Sequence, residues 1–209
     1  MKFKAMASAL IGFVVLPSIA FAQNVKYELD PVHTNVGFGV RHLGINTVKG
    51  EFKKFSGTIE YDPKNPTKIK VVAEIDASSL DTGNEKRDEH VKSPDFLDVA
   101  KFQKITFVSK SAKPNGKNAM KVTGDLTIHG VTKTVVLDIT DIAGPGLNPL
   151  DKKQHLGASA SIKIVRQDYG ITWNGNGMTG IAGEAAVGND VKIQIDMDSV
   201  GEVAAGAKK

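Results

Sequence analysis

The sequence predicts an all-β chain of about eight antiparallel strands carrying one short polar helix. Three observations predict it. Apolar residues recur at every second position over segments of about 7 to 13 residues, clusters of Gly, Pro and Asn separate those segments, and a helical reading is confined to one interval.

At the N-terminus Lys2 and Lys4 precede an apolar run from Ala5 to Leu16, and the stretch closes on Ala20-Phe21-Ala22. A basic start, an apolar centre shorter than the ~20 residues of a membrane span, and a small-x-small site read as a secretory signal peptide cleaved after Ala22. Residues 1–22 are therefore set apart from the fold, residues 23–199 are expected to form one domain, and residues 200–209 a flexible tail. Export of this kind points to the periplasm.

In the first strands, Val36, Phe38 and Val40 share one face against Gly37, Gly39 and Arg41, and Phe55, Ile59 and Tyr61 repeat the pattern. Ile69, Val71, Ala73 and Ile75 alternate with Lys70, Val72, Glu74 and Asp76, and Ile105 and Phe107 mark a further strand. Met120, Val122, Leu126 and Ile128 oppose Lys121, Thr123, Asp125, Thr127 and His129, and Val135, Leu137 and Ile139 oppose Asp138 and Thr140. Leu156, Ala158, Ala160, Ile162 and Ile164 form one long stripe, and Val191, Ile193, Ile195 and Met197 another. A period of two places each stripe on one face of a strand.

Between the strands lie Asp62-Pro63-Lys64-Asn65-Pro66, Pro114-Asn115-Gly116, Gly144-Pro145-Gly146 with Asn148-Pro149, and Asn174-Gly175-Asn176-Gly177, all expected to be loops. The helix is expected from about Asn84 to Lys92, with Thr82 and Glu85 spaced as a capping box and Asp88 and Lys92 spaced for an ion pair. The Gly-rich stretch from Asp168 to Gly188 lacks periodicity and is a candidate lid or entrance loop, or a plain hairpin insertion.

Strands without alternating helices or repeats leave two architectures, a sandwich and a closed barrel. Strand length favours the barrel: ~11 residues rising ~3.3 Å each, tilted near 40°, give a wall about 28 Å high. The chain has no cysteine, so its core must stabilise it without disulfides. Removing Lys2 and Lys4 with the leader halves the formal net charge of +4, which leaves no basic surface suited to nucleic acid. Charged residues interrupt every later apolar segment, so no stable membrane insertion is expected.

Four blocks carry a family resemblance. They are Asp30-Pro31-Val32-His33-Thr34-Asn35-Val36-Gly37-Phe38 leading to His42 and Val48-Lys49-Gly50-Glu51-Phe52; Thr82 to His90 followed by Ser93-Pro94-Asp95-Phe96-Leu97-Asp98; Val122 to Lys133; and Arg166-Gln167-Asp168-Tyr169-Gly170-Ile171. In this order they resemble the YceI-like family over most of residues 23–199. Thr134, Gln103, Leu97 and Tyr169 depart from residues common in that pattern, without removing a charge or a strand breaker. The resemblance implies a lipocalin-like antiparallel closed barrel, usually periplasmic, with a central cavity that takes polyisoprenoid or other long-chain amphiphiles. It also allows a homodimer.

The expected ligand is thus a long-chain isoprenoid or lipid, bound without catalysis and without cofactor or metal. Candidate cavity-lining residues are Val36, Phe38, Val40, Phe107, Leu126, Ile128, Leu137, Ile139, Ile162, Ile164 and Trp173. Arg166 continues the inward phase of the Leu156 to Ile164 strand, with Asp168 following on the same phase. Both are head-group candidates, since an arginine fork suits phosphate or carboxylate; the competing reading pairs the two at the rim. His33, His42, His90 and His129 match no metal signature. Two other function classes stay open: an envelope hydrolase or isomerase using His and Asp at the barrel mouth, and a partner-binding module with a filled barrel.

Overall fold

The computed structural model describes residues 25–174 and 180–201. The expected leader, most of the Asn174-Gly175-Asn176-Gly177 turn and the tail beyond Gly201 lie outside the described residues. Eleven strands and one α-helix follow in order. They are β1 (Val25–Leu29), β2 (Asn35–His42), β3 (Asn46–Phe52), β4 (Phe55–Tyr61), β5 (Lys70–Asp76), β6 (Leu80–Asp81), α1 (Glu85–Lys92), β7 (Lys104–Pro114), β8 (Met120–Ile128), β9 (Val131–Leu147), β10 (Gln154–Val165) and β11 (Val187–Gly201).

All pairings are antiparallel, and the sheet runs β1-β4-β5-β7-β8-β9-β10-β11-β2-β3-β6, with β1 also paired to β11. Eight strands, from β1 through β4, β5 and β7 to β11 and back to β1, therefore close a barrel. Closure is made on one long strand. β11 pairs with β10 from Asp190 to Gly201, while its other edge is shared: Ser199, Val200 and Gly201 face β1, and Val187 to Asp196 face β2. At the changeover the linker between β1 and β2 crosses Asp198, whose carbonyl accepts from Asp30 N (2.9 Å) and Thr34 Oγ1 (3.0 Å). Thr34 Oγ1 in turn accepts from Asp198 N at 3.1 Å, so both backbone groups at the break are satisfied.

Alternation delivers the core. Along β8 Met120, Val122, Leu126 and Ile128 are buried, whereas the residues between them are half-buried or exposed. The same face carries Gly124, where a side chain has no room: a Cβ would lie 2.5 Å from Phe107 Cζ and 2.6 Å from the Val108 carbonyl oxygen. At the seam Tyr27 and Ser199 are fully buried, and Ser199 Oγ donates to the Leu156 carbonyl at 2.7 Å.

Several boundaries differ from the sequence reading. The ring of eight uses β1, while the Val36 to Val40 strand lies beyond it on the free edge of β11. Gly144-Pro145-Gly146 is part of β9, where register shifts against β10 absorb the irregular residues. β11 continues through Gly201, which faces Tyr27 and Gln154, two residues past the expected domain end. His129 is not a strand residue; with Gly130 it forms a two-residue turn with φ of 51° and 73°, joining Ile128 to Val131.

The helix is where it was expected, but its cap is Asn84, whose side chain accepts from Arg87 N at 3.0 Å. Thr82 has another partner set: its N–H and hydroxyl donate to Asp88, and it accepts Arg87 Nε and NH2 on Oγ1 and O at 2.8 Å each. Asp88 is thereby used to fasten α1 to the chain before it rather than to pair with Lys92.

Gly124→Val should destabilise the barrel by about 2 kcal/mol, since the Val108 carbonyl cannot yield without breaking the β7–β8 ladder. Urea unfolding of the two proteins checks this.

Candidate cavity and its polar end

The eight-stranded wall encloses a cavity of about 450 Å³. An eight-stranded barrel is near the size at which side chains can just fill it or leave space for one small ligand. Here small inward residues, Ala73 on β5 and Ala158 and Ala160 on β10, leave the wall recessed. The barrel is not filled, so the packed-barrel expectation does not hold.

The wall is almost wholly apolar. Val36, Phe38 and Val40 enter it from β2, Phe107 from β7, and Leu126 and Ile128 from β8. Leu137 and Ile139 come from β9, Ile162 and Ile164 from β10, and Trp173 from the segment after β10. The structure thus brings all eleven onto one surface. Phe52 joins them, its ring 5.7 Å from that of Phe38. Phe102 instead packs against His129, at 4.4 Å between centroids.

Polarity enters where β10 ends. Arg166 to Tyr169 form a 3₁₀ turn closed by Gly170 at φ 76°. Such a turn eclipses residues three apart, so Arg166 and Tyr169 face the same way; both line the cavity and are 4% and 2% exposed. Arg166 donates from Nε to Gly188 O (3.0 Å), from NH1 to Ile171 O (2.7 Å) and from NH2 to Val187 O (3.1 Å). Among the described residues no carboxylate forms an ion pair with it. Burial lowers its pKa from the ordinary arginine value, yet a guanidinium remains protonated in proteins. The result is a buried cation held by neutral carbonyls, with donor capacity to spare.

Tyr169 adds a buried hydroxyl that has no hydrogen-bond partner among the described residues. Burial, and then the nearby Asp168 carboxylate, raise its pKa above the usual phenol value, so it stays a neutral donor. Its carbonyl accepts from His129 Nδ1 at 3.1 Å, which ties the turn to the β8–β9 hairpin. Asp168 is different from its expected role. The 3₁₀ turn breaks the strand's two-residue phase and leaves Asp168 exposed, off the cavity wall and unpaired with Arg166 among the described residues.

The helix, expected only to solvate the barrel end, contributes Arg87, His90 and Val91 to the wall. His90 stands edge-on to Trp173 at 4.7 Å and to Phe96 at 5.1 Å, and its Nε2 lies 2.9 Å from Asp95 Oδ2. Sequence reasoning missed Tyr169, Arg87 and His90 as wall residues. The three-residue offset between Arg166 and Tyr169 was the available signal for the first; nothing in so polar a helix marks the other two.

The sequence model of the YceI-like domain matches residues 27–199. Protein YceI of Salmonella arizonae is 38% identical over 172 residues, 82% of this chain and 88% of that protein. The crystal structure of BcnA from Burkholderia cenocepacia superposes with a TM-score of 0.71 at 25% identity, covering 81% of this chain and 98% of that one. A polyisoprenoid binding domain from Saccharophagus degradans, implicated in plant cell wall breakdown, shares the fold with a TM-score of 0.59 at 14% identity, over 85% and 99% of the chains.

Arg166→Leu removes the hydrogen bonds to three carbonyls, one buried and two half-buried, and should cost roughly 3 kcal/mol, each unsatisfied acceptor being worth about 1–3 kcal/mol before relaxation. Arg166→Lys keeps the charge without the fork and should cost less. Denaturant midpoints of the three proteins test the order.

Proposed function

The chain belongs to the YceI-like domain family, and on that premise we propose that it binds and carries a long-chain apolar amphiphile of the polyisoprenoid, quinone or fatty-acyl type, without catalysis. The observation that carries this reading is the apolar cavity with two buried polar groups at one place on its wall. The hydrocarbon lies in the barrel, where each buried methylene contributes about 0.8 kcal/mol gross. A five-carbon unit is then worth roughly 4 kcal/mol, and a few such units dominate binding.

The head group lies at Arg166 and Tyr169. An anionic or acceptor-bearing group there meets an uncompensated cation and an unused hydroxyl, each of which is costly to leave unmatched in an apolar site. The polyisoprenoid binding domain of Saccharophagus degradans supports this reading through the shared barrel. Outward ion pairs, Lys121 with Asp138, Lys110 with Asp125 and Lys163 with Asp190, suit a barrel wall facing water rather than acyl chains. With the N-terminal leader, this is a carrier working in the periplasm.

Trp173 is the chain's single tryptophan and lies on the cavity wall, so its fluorescence reports occupancy. Titration with a polyprenyl phosphate, a ubiquinone and a long fatty acid should give saturable change with at least one of them. Ala160→Phe, which fills the recessed wall, should abolish it, and Tyr169→Phe should weaken the best ligand about tenfold. No response to any probe, or a response unchanged by Ala160→Phe in a folded variant, would contradict the carrier.

A further inference from the structure

A second cluster of polar side chains lies on the outer face of the barrel, where the β1–β2 linker crosses β11. We propose that Asp30, His33 and Asp198 form a binding site for a divalent transition-metal ion of the zinc type, with His155 and Asp151 as its outer shell. One ligand atom from each of Asp30, His33 and Asp198 lies within 4.8 Å of the others, and Asp30 Oδ2 is 2.7 Å from His33 Nδ1. A metal ion takes the position between these donors that a proton takes in the hydrogen-bonded pair.

The donors are held in place from behind. Asp30 Oδ1 accepts from Val32 N at 2.8 Å, which leaves Oδ2 for the ion. His155 Nδ1 lies 3.0 and 3.2 Å from the two oxygens of Asp198, and its Nε2 lies 2.8 Å from Asp151 Oδ2. Such outer partners orient metal-binding carboxylates and imidazoles. The backbone adds its own constraint, because Asp30 N and Thr34 Oγ1 both bond to the Asp198 carbonyl and fix the linker against the strand.

Charge and chemistry choose the ion. Two of the three donors are carboxylates, with the Asp151 carboxylate behind His155, and such a donor set favours a divalent cation. One imidazole among carboxylates favours zinc-type ions over calcium or magnesium, which prefer oxygen alone. The His33 side chain is 66% exposed, so water has access to complete the coordination sphere. An ion here joins the linker to β11 at the point where the strand changes neighbours.

Equilibrium dialysis of the purified protein against Zn²⁺, followed by elemental analysis, tests the site. The expected result is one Zn²⁺ per chain at micromolar concentration, with Ca²⁺ bound about tenfold more weakly or less. His33→Ala and Asp30→Asn should each weaken Zn²⁺ uptake by about tenfold or more, and His155→Gln by about tenfold. Asp30→Asn keeps an acceptor for Val32, and His33 is exposed, so both variants should fold; circular dichroism checks this. Asp190→Asn, at the outward-facing ion pair with Lys163 on the same strand, should leave uptake unchanged. No stoichiometric uptake at 100-fold higher Zn²⁺, uptake that persists in either first variant, or Ca²⁺ bound as tightly as Zn²⁺ would overturn the assignment.

Discussion

Barrel closure rests on β11. Of its fifteen residues, those from Asp190 onward pair with β10 on one edge, and the other edge is divided between β1 and β2. A chain that failed to close there would expose two sheet edges and open its apolar face to water. The changeover at Asp198 is therefore satisfied at every backbone group, from Asp30 and Thr34, and the fully buried Tyr27 and Ser199 pack beneath it. Gly201 permits this packing, since a Cβ there would meet the Tyr27 ring at 2.7 Å. From closure follows an interior, and from small residues on β5 and β10 follows an interior that side chains do not fill.

The polar end of that interior rests on a different physical balance. Burying a cation among apolar side chains is unfavourable unless its donors are met, and Arg166 meets three of them with carbonyls from two separate segments, Ile171 on one side and Val187 and Gly188 on the other. The guanidinium thus holds together the two ends of the Gly-rich stretch while keeping its charge at the cavity wall. Tyr169, eclipsed with it on the 3₁₀ turn, brings a hydroxyl that has no partner among the described residues. In the proposed function, structural and recognition roles coincide in Arg166, because one planar fork can serve both.

Much of this was legible in the sequence because alternation is a direct image of a wall with one wet and one dry face. The inward residues of β2, β5, β8, β10 and β11 follow from that period alone, and so does the inward direction of Arg166. The rest was hidden for physical reasons. β1, β3 and β6 are short or mixed in polarity and give no clear alternation. β7 slips register between Ser109 and Ser111, which breaks its period beyond Phe107, and β9 absorbs Gly144-Pro145-Gly146 through register shifts that a turn-signal reading takes for a loop. Asp168 was misplaced because the strand's phase stops at Val165 and a 3₁₀ turn begins. His155 and Asp151 carried no periodic signal at all; only the folded chain brings them to Asp198.

The central claim is that the interior holds a long-chain ligand and is not merely an incompletely packed core. Mass spectrometry of an organic extract from protein purified natively from its own cells, beside a denatured and refolded control, addresses it most directly. The account expects one long-chain species per barrel in the native sample and none in the control. A native protein that is empty, and that takes up no polyprenyl, quinone or fatty-acyl compound on exposure to them, would contradict it.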